Sequence, residues 1–197
     1  MNTWKEKNFE EKLGPKIDEI WRKYFGEYAL IKRTTYENFY EENNSVLDRD
    51  FCIDSIIKLP DGPRFTSQEK ILNHTKKSYK SITLEYKNNR PDEMKGDYSK
   101  ILTDLYLFCY ANEDGTEIDE YWILNTFNLK IFLMKVGIDY LKENYLRQNP
   151  PPAQSNFFAI PIDLLKEQDN IIIYKSEKWT EKIFSYTYRR YQFWKKI

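Results

Sequence analysis

The spacing of hydrophobic and polar positions divides the chain into a few clear elements. Residues 16–25, KIDEIWRKYF, place Ile17, Ile20, Trp21 and Phe25 at helical intervals. This predicts a helix over 16–25, with Pro15 near the first turn, where its missing N–H costs little, and Gly26 as the stop. The run FCIDSIIKL, 51–59, is rich in strand formers, PDGP, 60–63, signals a turn, and RFTSQEKIL, 64–72, reads as the returning strand of a hairpin. In YKSITLEYKN, 79–88, Ile82, Leu84 and Tyr86 alternate with Thr83 and Glu85, which predicts a third strand. The stretch YSKILTDLYLFCYAN, 98–112, suits a helix in its first half and a strand in its second. EYWILNT, 120–126, reads as a strand. NLKIFLMKVGIDYLKENYLRQ, 128–148, reads as a helix, with Leu129, Phe132, Leu133 and Val136 on one stripe and Gly137 weakening its middle. Beyond the proline-rich stop at 149–155, FFAIPIDLLKEQD predicts a short strand and a short helix, and IIIYK, 171–175, a last strand. The polar segments 34–50 and 88–97 read as connections, the first with a short helix in its middle.

This order of elements predicts an α/β fold: a mixed central sheet flanked by helices. At 197 residues, one core domain over 1–150 is expected, with 151–197 as a C-terminal extension packed on it. Composition narrows the choices. With 41% hydrophobic and 17% aromatic residues, the chain is not of the disordered class. Its net charge of zero gives no global sign of nucleic-acid binding, but Lys175–Ile197 carries seven Lys or Arg against two Glu. The aromatic and basic run YTYRRYQFWKK in that segment has rings that could stack on bases and cations that could hold phosphates, but it reads first as an amphipathic element with rings on the core and cations outward. Cys52 and Cys109 belong to no Cys-x-x-Cys pair and read as core thiols in a reducing cytoplasm. The charged N-terminus shows no secretory h-region, and no run of residues is apolar enough to span a bilayer. His74 is the only histidine, so neither a zinc centre nor a histidine-based nucleophile is expected. No glycine-rich phosphate loop is present, which argues against nucleotide hydrolysis.

The chemistry-bearing residues gather on the predicted hairpin. Asp54 interrupts the apolar run CIDSII, where a carboxylate is costly unless paired, protonated or metal-bound. On the returning strand, Gln68 and Lys70 share one side and Glu69 takes the other. Pairing Pro60 with Pro63 sets Asp54 opposite Glu69, and a three-residue loop or a bulge sets it opposite Lys70; the register decides which. Glu85, on the next strand, is a third acid among apolar neighbours. A salt bridge between Asp54 and Lys70 would account for the pair alone. An oxygen-lined Mg²⁺ site beside a lysine would also account for Gln68 and Glu85, and it has the parts that phosphodiester hydrolysis needs.

The segment DRDFCIDSIIKLPDGPRFTSQEKIL, followed by SITLEY, resembles the core of the PD-(D/E)xK nuclease superfamily, over roughly residues 16–135. Asp54 matches the first acid and Lys70 the lysine; Gln68 stands where the second acid usually stands, a Gln-x-Lys variant found in some branches. The resemblance implies a restriction-endonuclease-like fold and a Mg²⁺- or Mn²⁺-dependent DNA endonuclease or exonuclease, in keeping with a phage or prophage origin. It implies Asp54 as the main metal ligand, with Gln68 and the Glu69 carbonyl completing the shell. Lys70 would position the water and the scissile phosphate. Glu85, or Glu69, would supply the charge that Gln68 lacks. DNA is the implied partner, and cutting both strands calls for a homodimer or a second event. The rival expectations are a non-catalytic DNA- or protein-binding module of the same fold and an unrelated α+β structural protein.

Overall fold

A computed structural model describes residues 3–34, 47, 51–88, 95–149 and 155–176. The elements are α1 (Thr3–Phe25), β1 (Leu30–Arg33), β2 (Ser55–Lys58), β3 (Arg64–Leu72), a 3₁₀ helix (His74–Tyr79), β4 (Ser81–Asn88), α2 (Asp97–Lys100), β5 (Leu105–Ala111), β6 (Ile118–Asn125), α3 (Thr126–Val136), α4 (Ile138–Tyr145), β7 (Leu146–Gln148), β8 (Ser155–Pro161), α5 (Ile162–Lys166) and β9 (Ile172–Lys175). The fold is mixed α/β. A six-stranded sheet runs β1-β2-β3-β5-β6-β9, and a three-stranded sheet runs β4-β8-β7. Every pairing is antiparallel except that of β3 with β5.

Strand alternation sorts the side chains of the larger sheet into two cores. Leu105, Leu107 and Cys109 of β5, with Ile57 of β2 and Ile123 of β6, pack against Ile17, Ile20 and Trp21 of α1. Tyr106, Phe108 and Tyr110 of β5, with Trp122 and Leu124 of β6, pack on the other side against Ile82, Leu84, Phe158 and Ile160 of the smaller sheet and against α3 and α4. The layers are therefore α1, the large sheet, then the small sheet with short helices. Two tyrosines fasten the sheets together: the Tyr106 hydroxyl donates to the Thr83 carbonyl at 2.9 Å and that of Tyr110 to the Ser81 carbonyl at 3.0 Å.

Several expectations change here. The first helix starts at Thr3, so Pro15 lies inside it; the charged stretch before Pro15 still buries Leu13, which anchors this half. The helix expected over 128–148 is broken at Gly137, whose φ of +80° only glycine adopts easily, and its last residues form β7. The third strand, β4, does not extend the hairpin. It pairs with β8 in the second sheet, so that face of the large sheet is covered by strands as well as helices. Residues 155–176 do more than pack on a finished core, since β8 and β9 add a strand to each sheet. The helix expected within 34–50 and the aromatic–basic run at 186–196 lie outside the described residues.

Candidate functional site

The hairpin register is set by its loop. Leu59 N–H donates to the Pro63 carbonyl at 3.0 Å, closing a loop of Pro60, Asp61 and Gly62. Lys58 then pairs with Arg64 and Ser55 with Ser67. Continued by one residue, this register sets Asp54 level with Gln68, a position that neither expected alignment provides. The ladder itself stops at Ser55. Asp54 N–H still reaches the Ser67 carbonyl at 2.8 Å, and its own carbonyl accepts from Thr34 N–H at 2.9 Å. Before it, Cys52 takes a left-handed φ of 55°, a conformation that costs a residue with a Cβ about 1–2 kcal/mol.

Because β2 pairs only with Arg64–Ser67, the far half of β3 runs past it. The Asp54 carboxylate fills the first step of that gap and accepts the Glu69 backbone N–H at 2.5 Å. In a strand, the N–H and C=O of one residue leave on the same edge. The Glu69 carbonyl therefore emerges on the side of β3 where Asp54 sits.

The side chains of the triplet divide as alternation requires. Gln68 lies in register with Tyr106 and Lys70 with Phe108, toward the small sheet. Gln68 is only 7% exposed, and its Oε1 is buried without a hydrogen-bond partner among the described residues. Lys70 is half-buried.

Glu69 points the other way, under α1. Its Oε1 accepts from Trp21 Nε1 at 2.8 Å, Ser55 Oγ at 2.6 Å and Ser67 Oγ at 3.3 Å, and its Oε2 from Arg33 Nη1 at 2.5 Å. Arg33 continues the network to the Gly14 carbonyl at 2.9 Å and Asp18 Oδ1 at 2.6 Å. Burial works against the Arg33 guanidinium, but Glu69 and Asp18 more than offset it and hold its pKa above the ordinary value. This network commits the Glu69 carboxylate to structure, so only the Glu69 carbonyl remains on the Asp54 side.

Glu85 stands in the small sheet, in register with Phe157. It is not on a neighbour of β3 in the large sheet, and alternation turns it away from the buried Ile82 and Leu84. Gly96 packs against it: a Cβ there would overlap the Glu85 carbonyl and lie 2.9 Å from Cγ. This contact seats the start of α2, where the sequence reading missed Asp97 as an acid of interest. The Cys52 thiol donates to Asp97 Oδ1 at 3.6 Å. Burial, then the fields of Asp97 and Asp54, push the Cys52 thiol and the buried Tyr106 phenol up from their ordinary pKa values, with Lys100 opposing at Cys52. Asp54 and Asp97 thus share the surroundings of one buried thiol and phenol. The only sequence signal for Asp97 was an acid at the end of a segment read as a connection, just ahead of a stretch expected to begin as a helix at 98.

Among the described residues, no group of three or more His, Cys, Asp or Glu side chains could hold a metal. The oxygens that the register brings level are of another kind: the Asp54 carboxylate, the Gln68 amide oxygen, without a partner among the described residues, and the Glu69 backbone carbonyl. All are hard oxygen donors, which suit Mg²⁺ or Mn²⁺ rather than Zn²⁺. No helix among the described residues is long and apolar enough to cross a membrane. No family model matches the chain, nor does any curated protein or solved structure.

Proposed function

We propose that this chain is a metal-dependent DNA nuclease with a restriction-endonuclease-like core. Two observations carry the reading: Asp54, level with Gln68 in the extended register, accepts the Glu69 N–H, and the buried Gln68 Oε1 has no hydrogen-bond partner among the described residues. A buried acceptor without a partner costs about 1–3 kcal/mol, and a cation bound there would offset that cost. A mixed sheet, in spatial order β1-β2-β3-β5-β6 with only β3 and β5 parallel, supports the reading at the level of fold class, while β4, the SITLEY strand of the resemblance, lies in the other sheet.

Asp54, Gln68 Oε1 and the Glu69 carbonyl would hold the cation. When bound, Mg²⁺ or Mn²⁺ neutralises charge on the scissile phosphate and lowers the pKa of a coordinated water. Lys70, two residues beyond Gln68 on the same face, attracts the phosphate and orients the attacking water. Tyr106 and Phe108 floor the site and keep bulk water from beneath it. Gln68 brings no charge, and Asp97, which shares the surroundings of Cys52 and Tyr106 with Asp54, is the acid proposed to supplement it in place of Glu85. The neutral Gln68 also favours the second reading, a non-catalytic DNA- or protein-binding module of the same fold.

Supercoiled and linear DNA incubated with Mg²⁺ or Mn²⁺ separates the two. The nuclease reading expects cleavage by the wild type, reduced about 10²- to 10⁴-fold in Asp54→Ala and Lys70→Ala. Undiminished cleavage by both variants contradicts the assignment, and intact DNA in every reaction favours the binding module.

A further inference from the structure

The face of the large sheet that carries Gln68 continues away from it into a groove. Strand pairing aligns Leu30, Lys58 and Arg64 in one row across β1, β2 and β3, and Lys32, Ile56 and Thr66 in the next. Asp54 and Gln68 follow as the third row. Arg33, Ile57 and Glu69 alternate with these and face α1 instead. The first two rows form a groove of about 380 Å³ lined by Leu30, Ile31, Lys32, Ile56, Lys58 and Arg64. The small sheet covers this face at β5 and β6 but leaves it open here, where Leu30 is 68% exposed and Lys58 and Arg64 are exposed.

The lining holds three cations and no acid in a chain whose net charge is zero. Neither Lys58 nor Arg64 forms an ion pair with a described residue. At a rise of about 3.4 Å per residue, Arg64 lies roughly 14 Å from Gln68 along β3. Cations beside an apolar floor, on the same face as the candidate centre, suit a strand whose phosphates are charged and whose sugars and bases are partly apolar.

We propose that this groove binds the sugar–phosphate backbone of a DNA strand and leads it to the Asp54–Gln68–Lys70 centre. That the bound strand is the substrate rests on the nuclease reading; that the groove holds a nucleic-acid backbone does not. Lys58 and Arg64 grip phosphates, and Leu30 and Ile56 contact the sugars.

The test is the binding of fluorescein-labelled DNA of mixed sequence, single- and double-stranded, with matched RNA as a further arm, across a salt series. The protein is the full chain carrying Asp54→Asn, without divalent cations, so that cleavage plays no part. Adding Lys58→Glu with Arg64→Glu is expected to weaken binding at least tenfold. The milder pair Lys58→Gln with Arg64→Gln, which guards against misfolding, is expected to lower the log–log salt slope by about 1.4 for a single strand. A charge-matched control on the opposite layer, Lys12→Glu with Arg22→Glu, is expected to bind as before. Equal losses in groove and control variants, or none in either groove pair, would overturn the proposal. Cleavage by the wild type is scored separately. A chain that binds through the groove yet never cuts supports the groove and sinks the nuclease reading. A chain that cuts, with DNA affinity unchanged in the groove variants, does the reverse.

Discussion

Glu69 and Gln68 are neighbours on β3, both buried and both polar, and the fold treats them in opposite ways. Glu69 has four donors on its two oxygens and lies in a network that ties α1, β1 and β2 to β3. Gln68 has an amide oxygen with no partner among the described residues. A buried charge is tolerable when every lone pair is used, and Glu69 meets that condition. Gln68 leaves a cost uncorrected one residue away. A buried acceptor left unsatisfied beside a fully satisfied carboxylate calls for an explanation, and a bound cation is the one that the proposed nuclease reading gives.

The comparison is sharpened most strongly by removing the Glu69 charge. Glu69→Gln leaves Arg33 without its buried partner, although Asp18 still holds it, and is expected to cost about 3 kcal/mol. For a chain of this size that lowers Tm by roughly 6–12 °C in a calorimetric scan. A Tm within a degree of wild type would mean the network holds little together.

Gly96→Ala comes next. Its new Cβ meets the Glu85 carbonyl, so α2 must shift away from β4, at a cost of about 1–3 kcal/mol by denaturant titration. An unchanged midpoint would show that α2 is not held tightly against β4. Gln68→Met should move stability the other way. Replacing a partnerless amide by an apolar chain of similar length is expected to gain about 1 kcal/mol while removing any metal-dependent activity. A loss of stability would show that Gln68 is satisfied by protein alone and would erase the contrast with Glu69.

The smallest effect concerns the thiols. Burial raises the pKa of both Cys52 and Cys109, and Asp97 and Glu69, respectively, raise them further. Raising a thiol pKa lowers its thiolate fraction at any given pH, so both should react slowly with a thiol reagent at mildly alkaline pH and quickly once unfolded. Rapid labelling of Cys52 in the native protein would mean that its segment opens away from Asp97.

The elements were more legible in the sequence than their partners. The turn at 60–63 and the alternation around it located the hairpin because those signals are local. The register was not legible, because closing the loop at Leu59 and Pro63 moves Asp54 by one or two positions with no change in the pattern. The alternation in β4 was equally clear, yet its partner β8 lies more than 60 residues further on, and alternation carries no label for which sheet a strand joins. The division of Gln68 and Lys70 from Glu69 followed from strand geometry alone. The identity of the Glu69 partners did not, since Trp21 and Arg33 meet it only through tertiary packing.

Binding of Mn²⁺, followed by electron paramagnetic resonance on the folded 197-residue chain, tests the contrast between the two faces of β3 most directly. The account predicts a bound Mn²⁺ in the wild type and in Glu69→Gln, at least tenfold weaker binding in Asp54→Asn, and tighter binding in Gln68→Glu, where a second carboxylate joins the first. Unchanged binding in Asp54→Asn, or loss of binding in Glu69→Gln alone, would contradict it.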